Sequence, residues 1–258
     1  MKRTPIKRES LELPALFDSL LTGSDVYDSS CSKEATVLFI DKGCGYYLKS
    51  APKGALSDEA LMTRYFYKKG LSAPVIEYIS LERDYLLTER VAGEDCTYRA
   101  CLDEPRRLAV LMGESLAMLH SLDFSDCPIN NRISTYFKTA EENYKKGIFD
   151  QSFFNKSANC DEVWRTVCDL KGVLKSDTLI HGDYCLPNIM LKDWRLSGFI
   201  DLGNGGVGDK HIDLFWGAWT LNFNLGTEKY RDVFFDAYGR SRIDFGILAS
   251  IGAVECFG

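Results

Sequence analysis

His181-Gly182-Asp183-Tyr184-Cys185-Leu186-Pro187-Asn188, followed by Phe199-Ile200-Asp201-Leu202-Gly203, is the stretch that decides how this chain is read. Short apolar runs frame both pieces. Leu179-Ile180 enters the first loop, Ile189-Met190-Leu191 leaves it, and Leu196 to Ile200 delivers Asp201. Apolar runs of this length between turn residues read as strands. The stretch therefore alternates strand, loop, strand, turn, strand, and it converges two acids and one amide.

That set has a chemistry. One Asp of H-x-D-x-x-x-x-N can accept a proton from a substrate hydroxyl, while the Asn and the Asp of D-x-G can hold Mg²⁺ against nucleotide phosphates. Asp183 is thus the candidate base, and Asn188 and Asp201 are the candidate metal ligands. The plainer alternative is that Asp183 caps a turn and Asn188 satisfies a backbone group. Any one residue type occupies a chosen position roughly one time in twenty, so the whole pattern rarely arises by chance.

Working upstream, the first part of the chain reads as β-rich. Val37 to Ile40 and Tyr46 to Lys49 are strands around the turn Asp41-Lys42-Gly43-Cys44-Gly45. Ser57-Asp58-Glu59 opens a helix with Leu61, Met62, Tyr65 and Phe66 at helical spacing, closed by Gly70. Val75 to Ser80 and Asp84 to Glu89 form a second strand pair, and Gly93 marks a joint. The remainder is helical apart from the motif strands. Helices are expected over 104–120, 133–146, 161–174, 209–221, 227–238 and 244–256. The fold class is α+β and bilobal, with a β-rich lobe at 1–92 and a helical lobe at 93–258.

A phosphoryl-transfer site also needs a cation on the phosphates, steadied by an acid. Lys49 ends a predicted strand and Glu59 lies on the first turn of the next helix, where it can reach back. The alternative is a surface lysine and an acid favoured by the helix dipole. The two downstream motifs favour the phosphate-binding reading. The loop Tyr27 to Lys33 would offer Ser29, Ser30 and backbone N–H groups to the phosphates, or else serve as a polar hairpin. Tyr47 either lies against a base or belongs to the core.

Other motifs count for less. There is no G-x-x-x-x-G-K-[ST]. A literal G-x-G-x-x-G does occur at Gly203 to Gly208, but no second β-α-β unit with a strand-ending acid follows it.

Composition narrows the class further. The 258 residues carry a formal charge of −6, although four cations lie in the first eight positions. That balance argues against a nucleic-acid partner and suits a small cationic one. No apolar run is long enough to span a membrane, and the basic start lacks a signal peptide's apolar stretch. Nine Cys without a C-x-x-C pair fit a reducing cytoplasm better than a disulfide framework or a zinc site.

These residues resemble the aminoglycoside 3′-phosphotransferases, or kanamycin kinases, of the protein-kinase-like superfamily. The match extends from Asp28-Ser29-Ser30 and Tyr47-Leu48-Lys49 through Leu116 to His120 and the two motifs. It continues through Asp209-Lys210, Asp213 and Phe234 to Gly239. The resemblance implies an enzyme of antibiotic resistance that uses ATP (GTP is possible) and Mg²⁺. It makes Asp183 the base, Asn188 and Asp201 the metal ligands, and Lys49 with Glu59 the phosphate clamp. Tyr47 would stack on adenine, and a hinge near Glu89, Arg90 and Val91 would carry its hydrogen bonds. The acceptor would be the 3′-hydroxyl of an aminoglycoside, bound by acids of a helical-lobe insertion and of the C-terminal tail. Here those positions supply Asp150, Asp161, Glu162, Glu255 and the aromatic Phe257. The insertion and the tail carry fewer acids than the family pattern, and Asn204 stands where close members have Arg. A kinase of the same fold acting on another hydroxylated molecule, and a nucleotide-binding pseudokinase, are the rivals. The intact set of Lys49, Asp183, Asn188 and Asp201 speaks against the latter.

Overall fold

The protein is described by a computed structural model, with residues 3–7, 11–31, 35–154 and 157–258 placed. The chain divides into two compact units. The first runs to Tyr98 and takes in Pro187–Gly203, and the second comprises Arg99–Leu186 and Asn204–Gly258.

In the first unit, β1 (Thr4–Pro5), β2 (Asp25–Asp28), β3 (Thr36–Asp41), β4 (Tyr46–Pro52), β5 (Val75–Ser80) and β6 (Arg83–Glu89) form a sheet. Among the described residues the order is β1-β2-β3-β4-β6-β5, antiparallel throughout. Phe17, Leu21, Val26, Leu38, Ile40, Leu48, Tyr85 and Leu87 bury one face of it, with a short helix α1 (Asp18–Leu21) contributing. Alternation then turns Val37, Phe39, Tyr47 and Lys49 to the opposite face.

Helix α2 (Ser57–Lys68) buries Ala60, Met62, Tyr65 and Phe66. Leu61, expected on that face, is 45% exposed, and Glu59 is buried instead. The apolar stripe is thus rotated so that the acid of the first turn faces inward. A small sheet of β7 (Glu94–Asp95), β9 (Ile189–Lys192) and β10 (Arg195–Phe199) completes the unit, in the order β10-β9-β7. Its β9–β10 turn places Asp193 and Trp194 at positive φ, the twist-matched hairpin geometry.

The second unit holds α3 (Arg99–Leu102), α4 (Pro105–Leu119), α5 (Arg132–Lys146) and α6 (Cys160–Leu170), then β8 (Thr178–Ile180) and β11 (Gly206–Gly208). The helices α7 (Lys210–Leu225), α8 (Arg231–Tyr238) and α9 (Phe245–Glu255) follow. Leu108, Met112, Leu116 and Leu119 of α4 are fully buried, as their spacing predicts. A second cluster joins Phe137, Val163, Val167, Ile212, Ile251, Val254 and Phe257.

Helix α6 stops at Leu170, short of the expected 174. Gly172 adopts φ +88°, the turn exposes Val173, and Leu174 still reaches the core. The predicted helix 227–238 is split, because Glu228–Tyr230 forms a 3₁₀ turn before α8. Gly206–Gly208 is a strand paired antiparallel with β8. A Cβ at Gly208 would lie 2.5 Å from the Ile180 side chain, so this glycine serves close pairing. Among the described residues this is a two-stranded antiparallel arrangement, not the parallel β-α-β unit of a dinucleotide site.

Candidate active site

Strand β4 and helix α2 together position the cation. Lys49 Nζ donates to Glu59 Oε2 at 2.7 Å and to Asp201 Oδ1 at 2.8 Å. Burial works against the Lys49 charge, but the two carboxylates outweigh it and raise its pKa. Burial raises the Glu59 pKa, while Lys49 opposes that shift. One ammonium thus links the strand, the helix and the D-x-G turn. Asp201 itself sits at φ +58°, a region that a non-glycine residue occupies only when its surroundings hold it there.

Asn188 is buried, and its backbone carbonyl accepts the Ile200 N–H at 3.0 Å. That bond sets the candidate metal amide beside the strand leading to Asp201. A carboxylate and an amide oxygen are hard donors of the kind Mg²⁺ takes with phosphates and water, so the pair fits that ion.

The other nucleotide-side residues belong to the same unit. Ser29 is buried, and its N–H donates to the Val37 carbonyl at 2.8 Å. Ser30 Oγ accepts the Val37 N–H at 2.9 Å, while the Ser30 N–H donates to Asp28 Oδ1. Both serines bond to the hairpin backbone, and Ser32, Lys33 and Glu34 lie outside the described residues. The Tyr47 hydroxyl accepts from Arg3 Nη2 at 3.0 Å, and that guanidinium lies 3.5 Å from the centre of the Phe39 ring. Glu89 pairs with Tyr46 across the sheet and donates its N–H to the Pro74 carbonyl. Val91 packs with Ala73, Met190 and Ile200.

Asp183 belongs to the second unit, half-buried at the end of β8. Its N–H donates to His181 Nδ1 at 3.3 Å. The loop around it is pinned from several sides. The Tyr184 hydroxyl donates to the Met112 carbonyl at 2.8 Å, and the Leu186 N–H donates to Thr220 Oγ1 at 3.2 Å. Asp213, fully buried on α7, accepts the N–H of His181 and of Gly182 at 2.7 Å each. His120 Nε2 lies 3.0 Å from the same carboxylate, and His120 Nδ1 lies 2.9 Å from the Tyr238 hydroxyl. Gly182 has φ +82°, and a Cβ there would sit 2.0 Å from the Asn204 carbonyl oxygen. No other residue fits that corner.

The five acceptor-side residues have different surroundings. Asp150 is exposed and accepts the Ser152 N–H at 2.9 Å, which holds its carboxyl below the usual range. Asp161 accepts from the Tyr144 hydroxyl at 3.0 Å. Glu162 closes a capping box with Asn159 at the start of α6. Phe257 is fully buried against Tyr144, Phe149 and Trp164. Glu255 is buried, accepts the Tyr136 hydroxyl at 2.6 Å and also receives the Trp216 indole N–H. Burial pushes its pKa up to about 7, with the nearby charge of Asp183 adding to the rise. Tyr136 and Trp216 are partners that no motif indicated, and His120 lies in the matched stretch Leu116 to His120 without an assigned role.

Residues 31–249 match the model of a phosphotransferase enzyme family. The chain belongs to that family. It is 47% identical over 250 residues to a probable aminoglycoside 3′-phosphotransferase of Lactococcus lactis, covering 96% of this chain and 95% of that one. An aminoglycoside 3′-phosphotransferase of Niallia circulans is 29% identical over 163 residues, 62% of each chain. Among solved structures, the type VIII aminoglycoside-3′-phosphotransferase aligns with a TM-score of 0.74 at 22% identity, covering 94% of this chain and 99% of that one. The Streptomyces rimosus APH(3″)-Id, in complex with ADP and streptomycin, aligns at 0.71 and 21% identity, over 86% and 90% of the two chains. The fold of this family member is therefore that of the aminoglycoside phosphotransferases. Among the described residues no helix is long and apolar enough to cross a membrane.

Proposed function

We propose that the protein is an aminoglycoside 3′-O-phosphotransferase that moves the γ-phosphoryl group of ATP to the antibiotic's 3′-hydroxyl and so confers resistance. The observation that carries the reading is Lys49 held between Glu59 and Asp201. The choice of acceptor rests on the L. lactis relative, similar over nearly its whole length. The division of labour is a nucleotide-binding lobe at 1–92 and a helical lobe at 93–258 that carries the catalytic and acceptor-binding residues.

Lys49 meets the phosphates, and Asn188 and Asp201 would hold Mg²⁺, which neutralises charge on the transferring group. Ser29 and Ser30 line the phosphate loop, Tyr47 faces the base, and the hinge at Glu89 and Val91 offers backbone groups to its edge. Asp183 orients the acceptor hydroxyl and takes its proton late, as the oxygen bonds to phosphorus and ADP leaves. Most of the acceleration comes from positioning and from charges already in place. Asp150 and Glu255, with Asp161, supply carboxylates for ammonium groups of the acceptor, beside Glu162 and Phe257 of the same region.

A second reading, a kinase for a less cationic hydroxylated molecule, is favoured by the engagement of Glu162 in a helix cap and of Glu255 with Tyr136. Phosphate transfer from ATP–Mg²⁺, or from GTP–Mg²⁺, to kanamycin, neomycin, ribostamycin and neutral sugars separates the two. Turnover of kanamycin-type acceptors, with higher KM than in relatives richer in acids, is the expected result. Efficient turnover of a neutral sugar with none of any aminoglycoside would leave only the second reading.

A further inference from the structure

Helix α7 carries Trp216, Trp219 and Phe223 at spacings that put them on one face. A stripe like this normally packs into a core. In α7 that task falls to Ile212, Leu214, Gly217 and Leu221, all buried. The aromatic face starts against the core, where Trp216 packs with Phe153, and runs outward from there. Trp216 and Trp219 are half-buried, and Phe223 is 70% exposed, more than any other large hydrophobic side chain among the described residues.

The rings form a continuous ladder. Trp219 and Phe223 stack at 4.9 Å with 11° between their planes. Trp216 meets Trp219 edge-on at 5.4 Å. Phe153, on the 3₁₀ turn Gln151–Phe153, touches Trp216 at 5.5 Å and Trp219 at 5.7 Å. The inner end is polar, because the Trp216 indole N–H donates to Glu255, whose carboxyl feels the charge of Asp183. At the outer side, exposed Asp150 caps the turn that carries Phe153.

We propose that this ladder is an acceptor subsite that binds an amino-sugar ring remote from the reacting hydroxyl. The inference rests on the aminoglycoside reading. A sugar ring presents a face of C–H groups that packs on an aromatic plane, and its ammonium groups are drawn to the negative face of indole and phenyl rings. In this chain Glu162 is engaged in a helix cap and Asp161 with the Tyr144 hydroxyl. The π-faces along α7 therefore add to the carboxylates of Asp150, Asp161 and Glu255 in recognising cations. The ladder starts beside Glu255, whose carboxyl feels the charge of Asp183, so a remote ring lies along it when the reacting ring is at the base.

The test compares a two-ring acceptor (neamine) with three-ring acceptors (kanamycin, ribostamycin). Phe223→Ala alters an exposed position, so its fold is retained, and circular dichroism checks this. KM for the three-ring acceptors should rise roughly five- to tenfold relative to KM for the two-ring one. Phe223→Tyr should restore the wild-type ratio, while Phe223→Leu, apolar but without a π-face, should not. Quenching of tryptophan fluorescence by the three-ring compounds should weaken in Phe223→Ala by the same factor. Equal KM changes for all acceptors, no change, or full rescue by Leu would overturn the subsite while leaving the aminoglycoside reading intact. So would a change confined to self-association in light scattering. Absence of binding and turnover of every aminoglycoside by the wild-type protein would overturn both.

Discussion

The Asp213 carboxylate accepts the Gly182 N–H at 2.7 Å, and its other oxygen accepts the His181 N–H at the same distance. Two consecutive amides of the H-G-D turn thus point at one buried side chain from α7, itself steadied by His120. Asp213 is a positioning residue for Asp183. Asn at this place offers one acceptor oxygen and turns an N–H₂ group toward an amide N–H. Asp213→Asn should lose about 3 kcal/mol of stability by urea denaturation, the scale expected for a buried charged hydrogen-bond centre broken on one side. Its kcat should fall at least tenfold even where the fraction folded is complete, with KM for ATP little changed. A variant that unfolds earlier but keeps its kcat would make Asp213 purely structural.

Lys49 and Glu59 should behave as a pair. Lys49→Met leaves Glu59 buried without its cation, so stability should drop by about 1–3 kcal/mol. Adding Glu59→Gln to Lys49→Met should recover part of that loss, a coupling that a double-mutant cycle measures. Neither variant should regain phosphate binding, and KM for ATP should stay at least tenfold raised in both. Independent, additive losses would show that the 2.7 Å contact is not a functional unit.

Asp183 and Asp201 should separate chemistry from binding. In Asp183→Asn, calorimetric affinity for a non-hydrolysable ATP analogue stays within a factor of a few while turnover disappears. In Asp201→Ala, the Mg²⁺-dependent part of that affinity disappears. Turnover surviving in Asp183→Asn would remove Asp183 as the base, and metal-linked affinity surviving in Asp201→Ala would remove Asp201 as a ligand.

The positions of the strands and helices were largely legible because apolar spacing reports which face is buried. Val75–Ser80 forms the strand its pattern predicts, and Leu108, Met112, Leu116 and Leu119 line the buried face of α4. Asp183, Asn188 and Asp201 stand out because a local spacing marks them, and their roles are the ones proposed above. What stayed hidden was set by packing between segments far apart in sequence. Nothing near Pro187–Gly203 tells a reader that it belongs with the N-terminal strands, because that depends on pairings such as Glu94 with Leu191. The rotation of α2 that buries Glu59 in place of Leu61 follows from Lys49 and Asp201, and the second of these lies far along the chain. Glu255 reads as one more acidic tail residue until Tyr136 and Trp216 are seen around it.

That burial gives Glu255 a pH signature. Its carboxyl titrates near pH 7 in the folded protein, against an ordinary value of 4.5, chiefly because burial disfavours the charge. The folded state therefore binds the proton more tightly than the unfolded chain does. The stabilisation is fully present below about pH 4.5 and is lost as pH rises through 7, a change of about 3 kcal/mol from this group alone. The Tyr136 hydroxyl and the Trp216 N–H donate to the carboxylate and favour its ionised form, whereas the charge of Asp183 opposes it. Glu255→Gln keeps an acceptor for Tyr136 and removes the titration, so the fall in stability between pH 5 and 8 should flatten relative to wild type. Tyr136→Phe removes a donor to the ionised form and should carry the fall to higher pH. Both follow from urea denaturation at a series of pH values. A wild-type profile with the same slope as Glu255→Gln would mean that this carboxyl is already ionised at neutral pH, and Tyr136 would then be its donor throughout.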